Sequence, residues 1–272
     1  MRLKDRVALV TGGGGGLGEA ISLCLAKEGA HVAVSDLRID AAEKVASLVR
    51  GMGRKSIALQ TDVRFADQCR DSIATAIREM GGLDILVCNA GVGGYSPDRD
   101  PDKLLTIENI TDEDWDMVID VNLKGVFLCN REAIPHFKKQ RSGKIINISS
   151  IGGRMPLDFL AHYDASKAGV ITLTQAVAMH MARYNVNVNS VCPGLIKTDM
   201  GAGMAELLSK SHPVFRGMTP DQVFSTLVKN SVRKRTPQTA EDIGNAVVFL
   251  ASDEAKEIVG QSVNVCGGMY FS

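Results

Sequence analysis

Short apolar runs alternate with longer stretches of helical periodicity along this 272-residue chain. The runs at 7–10, 31–35, 56–59, 85–88, 144–148, 186–191 and 262–265 have the length of strands. They are apolar throughout rather than alternating, as strands covered on both faces of a parallel sheet are. Between them lie segments with helical spacing, such as 18–28, 41–52, 66–80 and 164–183. Strand, helix and strand in repetition predict an α/β fold, a doubly wound parallel sheet flanked by helices. No low-complexity linker divides the chain, so a single domain over 1–272 is expected.

Two stretches break the rhythm. Residues 93–110 are polar and rich in Asp and Pro, and longer than a simple connection needs. Residues 197–237 have helical pieces but no strand. Both follow strands, which puts them at the carboxyl ends of the sheet, where such folds bind ligands. The first is expected to be an insertion loop, the second a lid over the substrate.

Composition narrows the function classes. Lys plus Arg and Asp plus Glu both total 31, so no net field draws nucleic acid or a membrane surface. No apolar stretch is long enough to span a bilayer and the start does not read as a signal peptide, so a cytoplasmic location is expected. The six cysteines form no CxxC pair and read as small buried hydrophobes in a reducing compartment. No Cys or His spacing suits a metal, and none is expected.

The candidate chemistry starts at the first strand, which runs into Thr11 and then Gly12, Gly13, Gly14, Gly15, Gly16, Leu17 and Gly18 before a helix. Glycines let the backbone approach a pyrophosphate, and the helix start offers free N–H groups. Two registers fit: G-x-G-x-x-G as Gly13, Gly15 and Gly18, or T-G-x-x-x-G-x-G as Thr11, Gly12, Gly16 and Gly18. Asp36 closes the second strand. A carboxylate there accepts bonds from both ribose hydroxyls and repels a 2′-phosphate. No Lys or Arg stands inside the glycine loop, and Leu37 follows Asp36; Arg38 is the one dissenting charge. NAD is therefore expected over NADP.

Tyr163 and Lys167 stand four apart, on one face of a predicted helix. An ammonium near a phenol favours phenolate, so a lowered tyrosine pKa is expected, fit for moving a proton. Ser149 and Ser150 end the strand thirteen residues upstream, where a hydroxyl can reach the reacting oxygen. Asn122 is expected mid-helix among apolar neighbours, where a buried amide must be satisfied.

In this order, over nearly its whole length, the sequence resembles the roughly 250-residue branch of the short-chain dehydrogenase/reductase family. The motifs are the Thr11–Gly18 loop, Asp62-Val63, Asn89-Ala90-Gly91, Asn122, Ser150, Tyr163 with Lys167, and Pro193-Gly194. The resemblance implies a Rossmann-type fold and an NAD-dependent interconversion of a secondary alcohol and a ketone. Asn122, Ser150, Tyr163 and Lys167 would form the catalytic tetrad. Ser150 is chosen over Ser149 because the family's serine-to-tyrosine spacing is thirteen. Asn122 would hold a water near Lys167, and Lys167 would also bind the nicotinamide ribose. Asp62 and Val63 would hold the adenine, Asn89, Ala90 and Gly91 the middle of the cofactor. Pro193 and Gly194 would precede Ile196 and Thr198 at the nicotinamide carboxamide. Cys88 stands where the family usually has a first Asn, a mild departure.

Substrate walls are expected from Gly93 and Tyr95, from Leu157 in 151–162, and from the lid with Met200 and Met204. Leu207, Leu208, Val214, Phe215 and Met218 extend the lid's apolar pattern. A mainly apolar, cyclic or aromatic secondary alcohol is favoured, with Arg154 and His162 read as supporting groups. The resemblance also implies a homotetramer or homodimer through 121–140 and 161–184, where Phe127, Ala133, Phe137, Leu173, Ala176 and Met179 need burial against a partner or the chain's own sheet. Two rivals remain: an NADPH-dependent 3-oxoacyl-type ketone reductase, and a non-catalytic NAD sensor. Because Asp36 favours NAD, Tyr163 is expected to act as a base in oxidation.

Overall fold

The computed structural model describes residues 1–94, 106–157 and 159–271. The apolar runs become strands within one or two residues of their expected ends. In chain order the first half comprises β1 (Val7–Thr11), α1 (Gly16–Lys27), β2 (His31–Asp36), α2 (Ile39–Gly51), β3 (Ser56–Gln60), α3 (Ala66–Met80) and β4 (Ile85–Cys88). The second half adds α4 (Asp112–Ile119), α5 (Gly125–Gln140), β5 (Gly143–Ile148), α6 (Ala161–Met181), β6 (Val186–Pro193), α7 (Asp199–Ser211), α8 (Pro220–Ser231), α9 (Ala240–Ala251) and β7 (Ser262–Val265).

The strands form one sheet in the order β3-β2-β1-β4-β5-β6-β7, and every pairing is parallel. The chain reverses its direction of strand addition between β1 and β4. Thr11 pairs with Cys88 at the carboxyl end of that junction. The crevice of a doubly wound sheet opens there.

β1 and β4 are almost wholly apolar because both faces are covered, while β5 and β6 also bury Asn147, Asn187, Asn189 and Ser190. Ala8 and Val10 point into the core with α1, α2 and α9. Val7 and Leu9 point into the core with α3, α5 and α6. Phe137, fully buried, fills the second core. A third, smaller cluster belongs to the stretch 197–237: Ala205 and Leu208 of α7 pack on Val223, Phe224 and Val228 of α8. The stretch 197–237 is thus a helical pair with a core of its own. Thr219 caps α8 in a reciprocal bond pattern with Gln222. Of the expected insertion loop, 95–105 lies outside the described residues.

The partner-face residues divide. Ala133 and Phe137 are buried in the chain's own core, whereas Phe127, Ala176 and Met179 are exposed. All six cysteines are free and buried. Among the described residues no helix is long and apolar enough to cross a membrane, and no cluster of metal-ligating side chains occurs.

Candidate active site

The glycine loop joins β1 to the start of α1. Gly12 and Gly16 have φ of +61° and +53°, which side-chain-bearing residues rarely adopt. A β carbon at Gly18 would overlap the Gly12 carbonyl. All three glycines of T-G-x-x-x-G-x-G thus demand glycine, and a β carbon at Gly13 or Gly14 would also crowd Val34 or Ala41 at 2.8 Å. At Gly15 nothing lies within 4 Å of where a β carbon would stand. The loop is open on that side, at the N-terminus of α1, which is the cradle a pyrophosphate needs.

Asp36 braces this loop. Its Oδ2 accepts the Gly14 N–H at 2.9 Å and its Oδ1 the Arg38 N–H at 3.0 Å. Each carboxylate oxygen keeps a further acceptor site. Asn89 ties the end of β4 to the same loop, its amide donating to the Thr11 and Gly12 carbonyls at 3.1 and 3.0 Å. The Thr11 hydroxyl accepts from the Asn89 and Ala90 N–H groups.

The polar chemistry gathers on β5 and α6. Lys167 is buried, and its Nζ donates to the Ile148 carbonyl at 3.1 Å. Both serines border the cleft, but the Ser149 hydroxyl donates to the Lys167 carbonyl at 2.7 Å and is buried, whereas Ser150 is the more exposed of the two. Ser150 Oγ accepts the Gly152 N–H at 3.1 Å. Burial pushes the Lys167 ammonium down to about 8.

The expected lowering of the Tyr163 pKa is corrected by the structure. Burial raises it above the ordinary phenol value, and the nearby Asp164 carboxylate raises it further; only the Ser150 hydroxyl pulls it down. Lys167 is four residues away but its ammonium is turned to a backbone carbonyl, and it is not among the groups that shift the phenol.

Asn122 also departs from expectation. It stands in a π-helical segment, Asp120–Lys124, between α4 and α5, not in a regular helix. The bulge turns its side chain onto the strand-end backbone. Oδ1 accepts the Val92 N–H at 2.8 Å, and Nδ2 donates to the Val92 carbonyl at 2.9 Å and to Ser166 Oγ at 3.2 Å. A β carbon on Gly91 would touch both Asn122 Oδ1 and Lys167 Nζ, so the three lie together.

One cleft of about 720 Å³ runs from the glycine loop to α7 and α8. Gly12, Gly15, Gly16, Leu17 and Asp36 line one end. Asn89, Ala90, Gly91, Ser150, Tyr163 and Lys167 line its middle, with Pro193, Gly194, Ile196 and Thr198 opposite. Gly93, Leu157, Met200 and Met204 line the far part. Gly14 and Gly18 pack inside the loop instead. Leu37 and Asp62 line an adjoining cavity of about 560 Å³. The Asp62 carboxylate is held there by Arg64, at 2.9 and 3.0 Å from its Nε. Val63 is buried against Gly125. Tyr95 lies outside the described residues. Arg154 bonds the Ser262 carbonyl and His162 the Gly94 carbonyl, both as supporting groups.

Sequence reasoning missed Asp164, Leu195, Phe224, Leu227 and Met269, all of which line the cleft. Only Asp164 left a signal: an acid beside Tyr163, on a helix that had to be buried.

A family model described as short chain dehydrogenase matches residues 6–207. This chain belongs to the short-chain dehydrogenase family. Its fold and cleft are those of an oxidoreductase that works with a nicotinamide cofactor. The chain is 39% identical over 267 residues to a 3-oxoacyl-(acyl-carrier-protein) reductase FabG of Staphylococcus epidermidis, covering 98% of this chain and 99% of that one. It is similarly 39% identical over 264 residues to its Staphylococcus aureus counterpart, covering 97% of each. Among solved structures, NAD+-bound xylitol dehydrogenase superposes with a TM-score of 0.91 at 28% identity, covering 98% of this chain and all of that one. Levodione reductase superposes at 0.89 and 28% identity, over 98% of each chain.

Proposed function

We propose that this chain is an NAD-dependent dehydrogenase that interconverts a secondary alcohol and a ketone, with Tyr163 as general acid and base. The observation that carries the reading is the meeting of Ser150, Tyr163 and Lys167 in one cleft that ends at the glycine loop and Asp36. A bound nicotinamide would accept or supply the hydride. The chain's own residues do the rest. Gly12, Gly15, Gly16 and Leu17 would take the pyrophosphate on backbone N–H groups. Asp36 would accept the ribose hydroxyls and repel a 2′-phosphate. Leu37, Asp62 and Val63 are assigned to the adenine end. Pro193, Gly194, Ile196 and Thr198 are assigned to the nicotinamide end.

Ser150 and Tyr163 would hold the substrate oxygen, and Tyr163 would take its proton in oxidation and return it in reduction. Lys167 would pass that proton on and hold the nicotinamide ribose. Asn122 would keep the Val92 backbone and Lys167 in register. The wall of Leu157, Met200 and Met204 favours an apolar secondary alcohol. Exposed Phe127 and Met179 would be covered in a homotetramer or homodimer.

A second reading, NADPH-dependent reduction of 3-oxoacyl groups, is favoured by the 39% identical reductases and by Arg38 at the cleft. Titration with NAD and NADP separates the two. A panel of cyclic, aromatic and hydroxy-acid alcohols with NAD, followed by absorbance of the reduced cofactor, tests the first. Tighter NAD and turnover of the apolar members are expected; a flat response across all classes overturns it.

A further inference from the structure

We propose that Asp164 is a positioning residue of this site: its carboxylate ties the substrate wall at Leu157 to the helical turn that carries Tyr163, and sets a negative charge beside the phenol. The proposal rests on the reading of Tyr163 as acid and base.

Asp164 directly follows Tyr163 in the first turn of α6, and only 4% of it is exposed. Its Oδ2 accepts the Leu157 N–H at 2.6 Å, a short bond of the charge-assisted kind. The Asp164 N–H donates to the Leu160 carbonyl at 2.9 Å, and the Leu160 N–H to the Leu157 carbonyl at 3.2 Å. Leu157 and Leu160 are thereby folded onto α6. Both line the cleft.

The other oxygen, Oδ1, is buried with no hydrogen-bond partner among the described residues. It occupies the space that a β carbon of Gly152 would need. Gly152 in turn donates its N–H to Ser150. One carboxylate therefore packs on both arms of the segment that leads from Ser150 to Tyr163.

A buried carboxylate with an idle oxygen costs stability, and a small neutral residue would fold there more cheaply. Among the described residues no cation is paired with it. Of the charged and titratable groups around it, Lys167 is turned to Ile148, Arg154 to Ser262 and His162 to Gly94. Tyr163 remains, and it feels the charge as a further rise in its pKa. Burial lifts the Asp164 carboxyl itself to about 6. Above that pH the anion holds Leu157; below it the acceptor is protonated and weakened, and the wall loosens.

Two variants of the full chain test this. Asp164→Asn keeps an oxygen for the Leu157 N–H but removes the charge; Asp164→Ala removes both. Hydrogen exchange of the Leu157 amide, corrected for its intrinsic pH dependence, is the first readout. The Leu157 N–H pulls the Asp164 carboxyl down against the rise from burial, so an opening that breaks this bond while Asp164 stays buried is favoured by protonation; protection should therefore fall in the parent below about pH 6, stay level with pH in Asp164→Asn, and be lost throughout in Asp164→Ala. In kinetics, Asp164→Ala should raise KM for the alcohol about tenfold with cofactor affinity kept. Asp164→Asn should move the alkaline rise of oxidation to lower pH, which a purely structural residue would not do. Equal protection in the parent and Asp164→Ala, or an unmoved pH profile in Asp164→Asn, overturns the proposal. If Asp164→Ala does not fold, the parent and Asp164→Asn decide it alone. If no alcohol or ketone is turned over by any form, the reading of Tyr163 falls, and exchange still decides the clamp.

Discussion

The Lys167 ammonium lies 5.7 Å from the centre of the Tyr163 ring and donates to the Ile148 carbonyl instead of to the phenol. Burial dominates both groups. Desolvation lowers the lysine to about 8 and raises the tyrosine. Oxidation needs the phenolate, so its rate should climb with pH from about 7 to about 10 without levelling, because the raised phenol still gains charge there. Reduction needs the phenol and should not show that rise. Profiles of kcat in both directions check the sign.

Tyr163→Phe removes the proton carrier and leaves the ring that lines the cleft. Turnover should fall by about 10²- to 10⁴-fold. Binding of the reduced cofactor, followed by its fluorescence, should change little. Activity near that of the parent would dismiss Tyr163.

Asp36 braces the glycine loop, and on the proposed reading it also accepts the ribose hydroxyls. Asp36→Ser should weaken NAD binding about tenfold and improve the use of NADP, since the charge that repels a 2′-phosphate is gone. The ratio of kcat/KM for the two cofactors measures the shift. An unchanged ratio would place cofactor choice elsewhere, with Arg38 the next residue to test.

Two glycines of one loop should respond differently to the same methyl group. Gly15→Ala meets open space and should fold with an unchanged melting temperature, yet bind the cofactor more weakly because the methyl intrudes on the cradle. Gly18→Ala meets the Gly12 carbonyl and should lower the melting temperature as well as affinity. Calorimetry and cofactor titration on both variants distinguish the cases.

The sheet was legible in the sequence because both faces of its strands are buried, which leaves runs such as Val7 to Val10 and Ile85 to Cys88 without polar interruption. The glycine loop and Tyr163 with Lys167 were legible because their spacing is local. What escaped depends on geometry that no local pattern records. The bulge at Asn122 is a change of helical pitch within one turn. Asp164 reads as an ordinary acid in a helix's first turn until Gly152 and Leu157 close over it. In the lid, helical spacing gave two apolar faces but not their rotation. Leu208 and Phe215 line the cleft, while Met218 is exposed and Leu207 packs away from it. Met269 comes from the far end of the chain, and only the folded sheet brings it near Tyr163.

The small cluster shared by α7 and α8 has a consequence for how this enzyme can change. Leu208 and Phe224 touch the cleft but owe their burial to each other and to Val223 and Val228. Exchanges there reshape the substrate wall while the two large cores, the glycine loop and Tyr163 stay as they are. The helical pair is in that sense a replaceable part, through which a lineage can try new substrates without disturbing the glycine loop or the residues around Tyr163.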